Sequence, residues 1–202
     1  MRNIMIIGAG GIGSYLVDFL SRINTNEYER GKRMLYDITV YDSDVVESKN
    51  LGYQNYSPDD VGRNKSDCLA DKYRSVNSEP FDVLVESQLS RNFDLIVCCV
   101  DNLATRRLVY KLGFGNAAKV KWLDLRSQGR NAALFSYKAE ENMLTEALNG
   151  EDGSFSCQAS DWNGTGKQIN TMHMVIAAMG AQWIQRWFVN NDDVAEYKVV
   201  NI

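Results

Sequence analysis

Residues 4 to 13 read Ile-Met-Ile-Ile-Gly-Ala-Gly-Gly-Ile-Gly, an apolar run followed directly by a glycine-rich turn. An apolar-periodic segment over residues 15–23 comes next, so the order is strand, glycine turn and helix. Glycines permit a tight turn and let a phosphate approach the backbone without meeting a Cβ atom. The free N–H groups and positive dipole end of the helix attract the anion. This stretch predicts a nucleotide site near residues 8–14, without saying which nucleotide.

The composition indicates one globular domain over residues 1–202, with a formal net charge of -4. That charge gives no basic footprint, so nucleic acid is not an expected partner. No signal peptide and no run of about 20 apolar residues is visible, so we expect no membrane association. The four cysteines form no Cys-x-x-Cys pair, so we expect no zinc and predict reduced thiols in a cytoplasm.

The second predicted strand, residues 35–41, ends at Asp42, where an acid is well placed to accept hydrogen bonds from a ribose. The alternative for Asp42 is a solvated turn residue. A polar loop follows, and the next helical pattern covers residues 61–76, with Asp59 or Asp60 as its cap. Lys65 lies near the first turn of that helix, where it opposes the helix dipole. A phosphate held beside Lys65 would make that position favourable; the alternative is a solvated lysine.

A third strand is predicted over residues 81–86 and a buried parallel strand over residues 93–100, with Cys98 and Cys99 in the core. The latter strand ends in Asp101-Asn102. Ligands of open α/β sheets bind beyond the carboxyl ends of the strands, so Asp101 lies at the same edge as the glycine loop. A carboxylate facing phosphates there is a natural Mg²⁺ ligand. Arg106 follows Asn102 by four residues, on the same helical face.

The remaining elements complete a doubly wound α/β domain, with a mainly parallel sheet and an antiparallel extension. Residues 120–125 and 132–137 predict an antiparallel hairpin, residues 168–189 a core helix, and residues 196–202 an edge strand. His173, the only histidine, is expected to be packed or to cap the helix rather than to act as a base.

Four motifs in this order resemble the ThiF/MoeB/HesA family, the adenylation domain also found in ubiquitin-activating enzymes. The Gly-x-Gly-Gly-x-Gly motif is matched by Gly8, Gly10, Gly11 and Gly13, and the acidic segment with its Asn-Leu-Asn-Arg-Gln element is similar to Asp42, Asp44, Glu47, Asn50, Leu51 and Gln54. Val61, Gly62 and Lys65 match Val-Gly-x-x-Lys, and Asp101, Asn102 and Arg106 match Asp-Asn-x-x-x-Arg.

The resemblance implies an ATP-dependent adenylyltransferase that activates the C-terminal carboxylate of a ubiquitin-like or sulfur-carrier protein, usually a diglycine tail. The products are an acyl adenylate and pyrophosphate. It implies that the glycine loop cradles phosphates, that Asp42 binds the ribose, that Asn50 and Lys65 contact phosphate oxygens, and that Asp101 holds Mg²⁺. Asp44, Gln54 and Asn102 are placed in the same nucleotide site by these motifs, and a homodimer is expected.

The sequence departs from the family pattern at three points. Tyr53 stands where the family has the arginine of the Asn-Leu-Asn-Arg-Gln element, and it supplies no positive charge. The N-terminal helix that often brings a further arginine is not seen before the first strand, and Arg2, Arg63 and Arg107 are the candidates to substitute for that arginine. The zinc-binding cysteine pairs of many relatives are absent. Cys157 lies where some members place a thiol that receives the activated carboxyl or a persulfide; the alternative is an ordinary loop cysteine.

Three alternatives stay open. A non-catalytic adaptor that binds a carrier or a nucleotide would explain Tyr53. An NAD-dependent oxidoreductase could carry the glycine loop, although the long loop after Asp42, Lys65 and the Asp101-Asn102 pair argue against it. A modifier of tRNA bases, within the same family, is disfavoured by the acidic charge balance.

Overall fold

A computed structural model of the chain describes residues 1–89, 93–111, 121–149, 171–189 and 195–201. Its strands are β1 (Arg2–Ile7), β2 (Tyr36–Tyr41), β3 (Val76–Glu79), β4 (Leu95–Cys98), β5 (Lys121–Gln128), β6 (Asn131–Ser136) and β7 (Tyr197–Asn201). Its α-helices are α1 (Gly11–Glu29), α2 (Lys65–Lys72), α3 (Glu86–Leu89), α4 (Leu103–Lys111), α5 (Glu141–Ala147) and α6 (Met172–Val189). Two short 3-10 helices, Ser48–Asn50 and Pro58–Asp60, lie between β2 and α2.

Within the described residues, the strands form one seven-stranded sheet in the order β3-β2-β1-β4-β5-β6-β7. The first five strands in this order are parallel, while β6 and β7 are antiparallel to their neighbours. The predicted fold class, hairpin and edge strand are therefore confirmed. The chain moves outward from β1 to β3 and then returns to place β4 on the other side of β1. That reversal creates a crevice at the carboxyl ends of β1 and β4.

Both faces of the sheet are covered, as a doubly wound fold requires. Ile4 and Ile6 pack into one core with apolar side chains of α1 and α6, whereas Met5 and Ile7 pack into the other with residues of α4 and α5. This alternation follows from the two-residue period of a strand. Because β1 and β4 are buried on both faces, their near-continuous apolar runs are explained. None of the described helices is long and apolar enough to cross a membrane.

Two predicted elements differ from the structure. The helix predicted over residues 61–76 is the shorter α2, and its cap is Asn64 rather than Asp59 or Asp60. Residues 61–63 do not become helical because their backbone bonds to the loop after β2: Gly62 N donates to Val46 O (2.8 Å) and Val46 N donates to Arg63 O (2.8 Å). Helix α2 ends at Lys72, and Val76, the last residue of the predicted helix, begins β3 in register with β2.

The third strand predicted over residues 81–86 is also wrong. Phe81, Leu84 and Val85 are exposed, and of this apolar group Val83 is the one that is buried. The third strand lies earlier, in β3, because pairing with β2 decides its position rather than local hydrophobicity.

The other predicted elements are found, with shifted ends. Helix α1 runs to Glu29, and the buried amide of Asn24 joins it to β2 by accepting from Leu35 N (2.9 Å) and Tyr36 N (3.0 Å). Helix α6 begins at Met172, and residues 168–170 lie outside the described part of the chain. Cys98, Cys99 and His173 are buried, as expected for core residues.

Candidate nucleotide-binding site

A cavity of about 560 Å³ opens at the carboxyl ends of β1, β2 and β4. Most of the predicted site residues line it, namely Gly8, Gly10, Gly11, Asp42, Asp44, Asn50, Gln54, Lys65, Asp101 and Asn102. They come from four separate segments of the sequence, so the fold brings the four motifs to one place. Gly13 lies behind the loop rather than on the cavity wall, and Cys157 lies outside the described residues.

The glycine loop is fixed by close backbone packing. Gly8 has φ +93°, a conformation that favours glycine, and a Cβ added there would lie 3.0 Å from the carbonyl carbon and oxygen of Cys99. A Cβ added at Gly13 would lie 1.9 Å from the carbonyl oxygen of Gly8. Gly13 therefore allows α1 to start directly against the loop. Gly10 has open space beside it, since the nearest atom to an added Cβ is Gln54 Nε2 at 4.0 Å.

The start of α1 faces the cavity through Gly10 and Gly11. Among the described residues, no side chain caps this helix and no acidic residue lies in its first turn. The first intrahelical bond is donated by Ser14 N to Gly10 O (3.0 Å), so the preceding N–H groups have no partner within the helix. A 19-residue helix thus presents uncapped donors and its positive dipole end to the cavity.

Asp42 stands beside this loop at the end of β2. Its Oδ2 accepts from Ala9 N (2.6 Å) and its Oδ1 accepts from Asp44 N (2.8 Å). Burial raises the pKa of the Asp42 carboxyl, while these two hydrogen bonds and the charge of Lys65 oppose the rise. The two N–H bonds orient the carboxylate on the cavity wall, where its remaining lone pairs can accept hydroxyl donors.

Lys65 is the first residue of α2, and its side chain is only 8% exposed. Its Nζ donates to Asp44 Oδ2 at 2.7 Å, but the side chain of Asp44 is 68% exposed. The cap residue Asn64 ties α2 to the same loop by donating to the carbonyls of Asp42 (3.0 Å) and Asp44 (3.1 Å). The lysine is therefore held in place at the cavity wall, whereas its carboxylate partner is largely exposed to water.

Asn50 and Gln54 are buried at the cavity wall. Asn50 Oδ1 accepts from Glu47 N (2.8 Å), and Asn50 Nδ2 donates to Tyr53 Oη (3.2 Å). Gln54 is 7% exposed, and its Oε1 has no hydrogen-bond partner among the described residues. Since a buried polar atom without a partner is costly, this oxygen is available to a donor on a bound molecule.

Asp101 is exposed on the cavity wall just beyond β4, and Asn102 accepts from Thr105 N (2.9 Å) at the start of α4. Buried Arg106 holds this turn, because its guanidinium donates to the carbonyl of Val100 and to the carboxylate of Asp124. Asp124, 1% exposed, also accepts from Tyr110 Oη (2.6 Å) and Arg126 Nε (2.8 Å). The sequence signal for this network is an acid inside the apolar run of β5, which the sequence analysis missed.

Part of the cavity lining is apolar, and it was also missed. Val83 and Leu84 contribute to it, together with Leu108 of α4. The side chain of Gln88 bonds to the backbone of residues 82–85: Oε1 accepts from Leu84 N (2.8 Å) and Val85 N (3.1 Å), and Nε2 donates to Asp82 O (3.0 Å). Ser43 Oγ also donates to Asp82 Oδ1 (2.7 Å), which brings this segment beside Asp42. An apolar surface beside a carboxylate suits a flat aromatic base joined to a sugar.

Within the described part of the chain, the cations that line the cavity are Lys49 and Lys65. The three arginines expected as substitutes lie elsewhere. Arg2 pairs with Asp94 and lies over the ring of Trp187, Arg63 pairs with Asp71, and Arg107 donates to Leu148 O. Counting the same residues, no group of three or more His, Cys, Asp or Glu side chains is arranged to hold a metal ion.

The mainly parallel sheet with its antiparallel extension and the glycine loop define an α/β protein of the doubly wound class, with a polar cavity at the edge of the sheet where such folds bind their ligands. The chain matches the model of the ThiF family over residues 2–202, and it belongs to that family.

Three relatives illustrate the match. The chain is 30% identical over 115 residues to the adenylyltransferase and sulfurtransferase MOCS3 of Caenorhabditis briggsae, covering 52% of this chain and 26% of that protein. It is 27% identical over 128 residues to ubiquitin-like modifier-activating enzyme 5 of Oryza sativa subsp. japonica, covering 53% and 28%. The crystal structure of Escherichia coli MccB with ATP matches with a TM-score of 0.64 at 17% identity, covering 93% of this chain and 55% of MccB. The chain thus spans about a quarter of the length of the two curated relatives and about half of MccB.

Proposed function

We propose that this chain is an ATP-dependent adenylyltransferase that activates the C-terminal carboxylate of a ubiquitin-like or sulfur-carrier protein. The observation that carries the proposal is the convergence of four motifs of a ThiF-family chain on one cavity. The cavity combines an uncapped helix start, a buried lysine and several carboxylates, among them the separate groups of Asp42 and Asp101. A nucleoside triphosphate requires such a combination: hydrogen-bond donors for its phosphates, an acceptor for its ribose hydroxyls and a ligand for its metal ion.

Different residues that line the cavity would contact the adenine, the ribose and the phosphates of ATP. Val83 and Leu84 would face the adenine, and Asp42 would accept from the ribose hydroxyls. The N–H groups at Gly10 and Gly11, with Lys65, would bind the phosphates. Asn50, Gln54, Asp44 and Asn102 line the same space and complete the nucleotide site that we propose.

Asp101 is the residue that would hold Mg²⁺ in this scheme. Because Mg²⁺ keeps several waters and shares phosphate oxygens, one protein carboxylate at the cavity wall is a sufficient protein ligand. When bound, the ion would neutralise charge on the phosphates.

The reaction would join two anions, which repel each other. A carboxylate oxygen attacks the α-phosphorus, the bond from that phosphorus to the bridging oxygen of the β-phosphate breaks, and pyrophosphate leaves. No proton has to be removed from the attacking carboxylate, so no general base is required. What the protein must supply is positive charge and hydrogen-bond donors for the α-phosphate, and Lys65 and the start of α1 offer both.

The names of the relatives support a protein substrate, since one is an adenylyltransferase and sulfurtransferase and another a ubiquitin-like modifier-activating enzyme. We propose a carrier protein with a C-terminal glycine tail as partner, a homodimer as assembly, residues 1–202 as one adenylation domain and the cytoplasm as location. A covalent role for Cys157 stays a proposal as well; it predicts that Cys157→Ser loses carrier transfer but keeps adenylation.

Carrier-dependent exchange between ATP and labelled pyrophosphate tests the proposal. Asp101→Ala is expected to abolish exchange, because the cavity would lose its metal ligand. Asp59→Ala is the matched control, since Asp59 is an exposed aspartate that does not line the cavity. Exchange that survives Asp101→Ala at the wild-type rate would contradict the proposed site.

A non-catalytic adaptor is the second candidate function, and one observation favours it. Counting only the described residues, no arginine lines the cavity, and Tyr53 occupies the position of the family arginine. An arginine can contribute roughly 10³-fold to phosphoryl transfer. The adaptor predicts ATP binding without exchange for any carrier protein, whereas the adenylyltransferase predicts both.

A further inference from the structure

The neighbours of Tyr53 determine which hydrogen bond its hydroxyl group accepts and which it can donate. Tyr53 lines the cavity together with Asn50, Gln54 and Lys65, and its side chain is half-buried. It follows the 3-10 helix Ser48–Asn50, where Tyr53 N donates to Asn50 O at 3.1 Å. The backbone of Tyr53 is therefore bonded to Asn50, in addition to any contact of its side chain.

The side chain of Asn50 can be oriented in only one way. Its Oδ1 lies 2.8 Å from Glu47 N, and a backbone N–H can only donate. The atom facing Glu47 must therefore be the amide oxygen, and the amide nitrogen must face Tyr53. That nitrogen lies 3.2 Å from Tyr53 Oη. Since Asn50 is only 3% exposed, this arrangement is held within the protein rather than by solvent.

The direction of the phenol proton follows from this orientation. An amide N–H₂ group has hydrogens but no acceptor, so Asn50 donates and the Tyr53 oxygen accepts. The O–H hydrogen of Tyr53 must then point to a different acceptor. The ring itself is held edge-on against the buried ring of His173, with centroids 6.4 Å apart and planes at 86°. Because the ring is held in place and its oxygen already accepts from Asn50, the O–H group of Tyr53 can act as a donor to another group.

We propose that the Tyr53 hydroxyl donates a hydrogen bond to an unesterified phosphate oxygen of the bound nucleotide. The inference rests on the proposed function, because it requires a phosphorylated nucleotide in the cavity. It also explains why Asn50 is buried: the amide would act on the nucleotide partly through the phenol that it orients. Tyr53 would contribute a neutral donor beside the charge of Lys65.

The test is calorimetric titration of the full chain with Mg-ATP and, separately, with adenosine. Tyr53→Phe keeps the ring and its packing on His173 but removes the donor. A hydrogen bond to a charged acceptor is worth roughly a ten- to hundredfold change in Kd, so ATP binding is expected to weaken by that factor. Adenosine carries no phosphate, and its Kd is expected to stay unchanged. Tyr28→Phe, at an exposed tyrosine of α1, is the matched control and should leave both constants unchanged.

Two outcomes would overturn the inference while leaving the proposed function intact. One is wild-type ATP affinity in Tyr53→Phe. The other is an equal loss of ATP and adenosine binding, which would show that Tyr53 only shapes the cavity. If the wild-type chain binds no ATP, the proposed function fails and the inference fails with it.

Discussion

The two walls of the cavity are built by different means. On the phosphate side, the glycine loop and α1 meet through backbone atoms, and Gly8 and Gly13 leave no room for a side chain. On the side proposed for the base, the side chain of Gln88 makes three hydrogen bonds to the backbone of residues 82–85. The wall proposed for the phosphates is therefore fixed by backbone packing, whereas the wall proposed for the base is held largely by side-chain contacts. We call them the phosphate wall and the base wall. Substitutions on the two walls should have effects of different kinds.

The largest expected effect is on the phosphate wall. Gly13→Ala would place a methyl group 1.9 Å from the carbonyl oxygen of Gly8, which is backbone and cannot move aside cheaply. We expect a loss of about 3 kcal/mol in the free energy of unfolding. For a chain of this length that corresponds to roughly 6–12 °C in thermal unfolding.

Gly10→Ala is the matched control, because its added methyl group meets nothing closer than 4.0 Å. Its cost should stay below about 1 kcal/mol, the size of an N-cap effect. Equal melting temperatures for the two variants would contradict a wall fixed by backbone packing.

The next effect concerns ligand affinity rather than folding. Lys65→Met removes the buried charge next to the start of α1 but keeps most of the buried stem. We expect the Kd for ATP to rise roughly ten- to hundredfold, and the Kd for adenosine to change little. Lys49→Met provides a comparison, since Lys49 also lines the cavity but its side chain is 69% exposed. A larger loss from Lys49→Met than from Lys65→Met would place the phosphate elsewhere.

A smaller effect is expected on the base wall. Gln88→Ala removes all three hydrogen bonds to residues 82–85, at roughly 1 kcal/mol each, partly compensated by water. We predict about a tenfold weaker adenosine affinity, with a nearly unchanged melting temperature because these residues are largely exposed. Gln88→Glu keeps the acceptor for Leu84 N and Val85 N and should lie between the wild type and Gln88→Ala. Unchanged adenosine binding in Gln88→Ala would show that the segment does not form the base wall.

The smallest effect is a pH dependence at the junction of the two walls. Because burial raises the pKa of Asp42 above its ordinary value of 3.8, this carboxyl gains a proton at a higher pH than an exposed aspartate does. Adenosine affinity should therefore fall as the pH is lowered towards that raised pKa, since a protonated carboxyl accepts poorly. Calorimetric titration at several pH values measures it, and Asp42→Asn should show no such dependence.

The stability of the free protein should change with the opposite sign. The folded state binds the Asp42 proton more tightly than the unfolded chain does, so the Asp42 contribution to the free energy of unfolding decreases as the pH rises from 3.8 through the raised pKa. Adenosine affinity that increases on acidification would contradict the role of Asp42 as a ribose acceptor.

The contrast between the walls also explains what could be predicted from the sequence. The phosphate wall is encoded locally, because the glycines, the strand before them and the helix after them are adjacent in the chain. The position of Asp42 and Asp101 on the cavity wall could be predicted for the same reason: each follows a strand whose end must lie at one edge of the sheet.

The base wall and the supports behind the site depend on contacts between distant residues, which no local pattern reveals. Asp124 joins Arg106, Tyr110 and Arg126 only after β5 packs beside β4. Helix α2 starts late because residues 62 and 63 bond to the loop after β2. The predicted strand over residues 81–86 is wrong because residues 76–79 pair with β2 instead, and three of its four apolar side chains, Phe81, Leu84 and Val85, are exposed.

Thermal unfolding of the full chain with Mg-ATP, and separately with NAD⁺ or NADH, tests most directly whether this cavity is an ATP site. A ligand at about 100 times its Kd adds about 2.7 kcal/mol to the free energy of unfolding, or roughly 5–10 °C for a domain of this size. We predict that shift with Mg-ATP and its loss in Asp101→Ala. A shift with the nicotinamide cofactor alone, or no shift with Mg-ATP, would contradict the account.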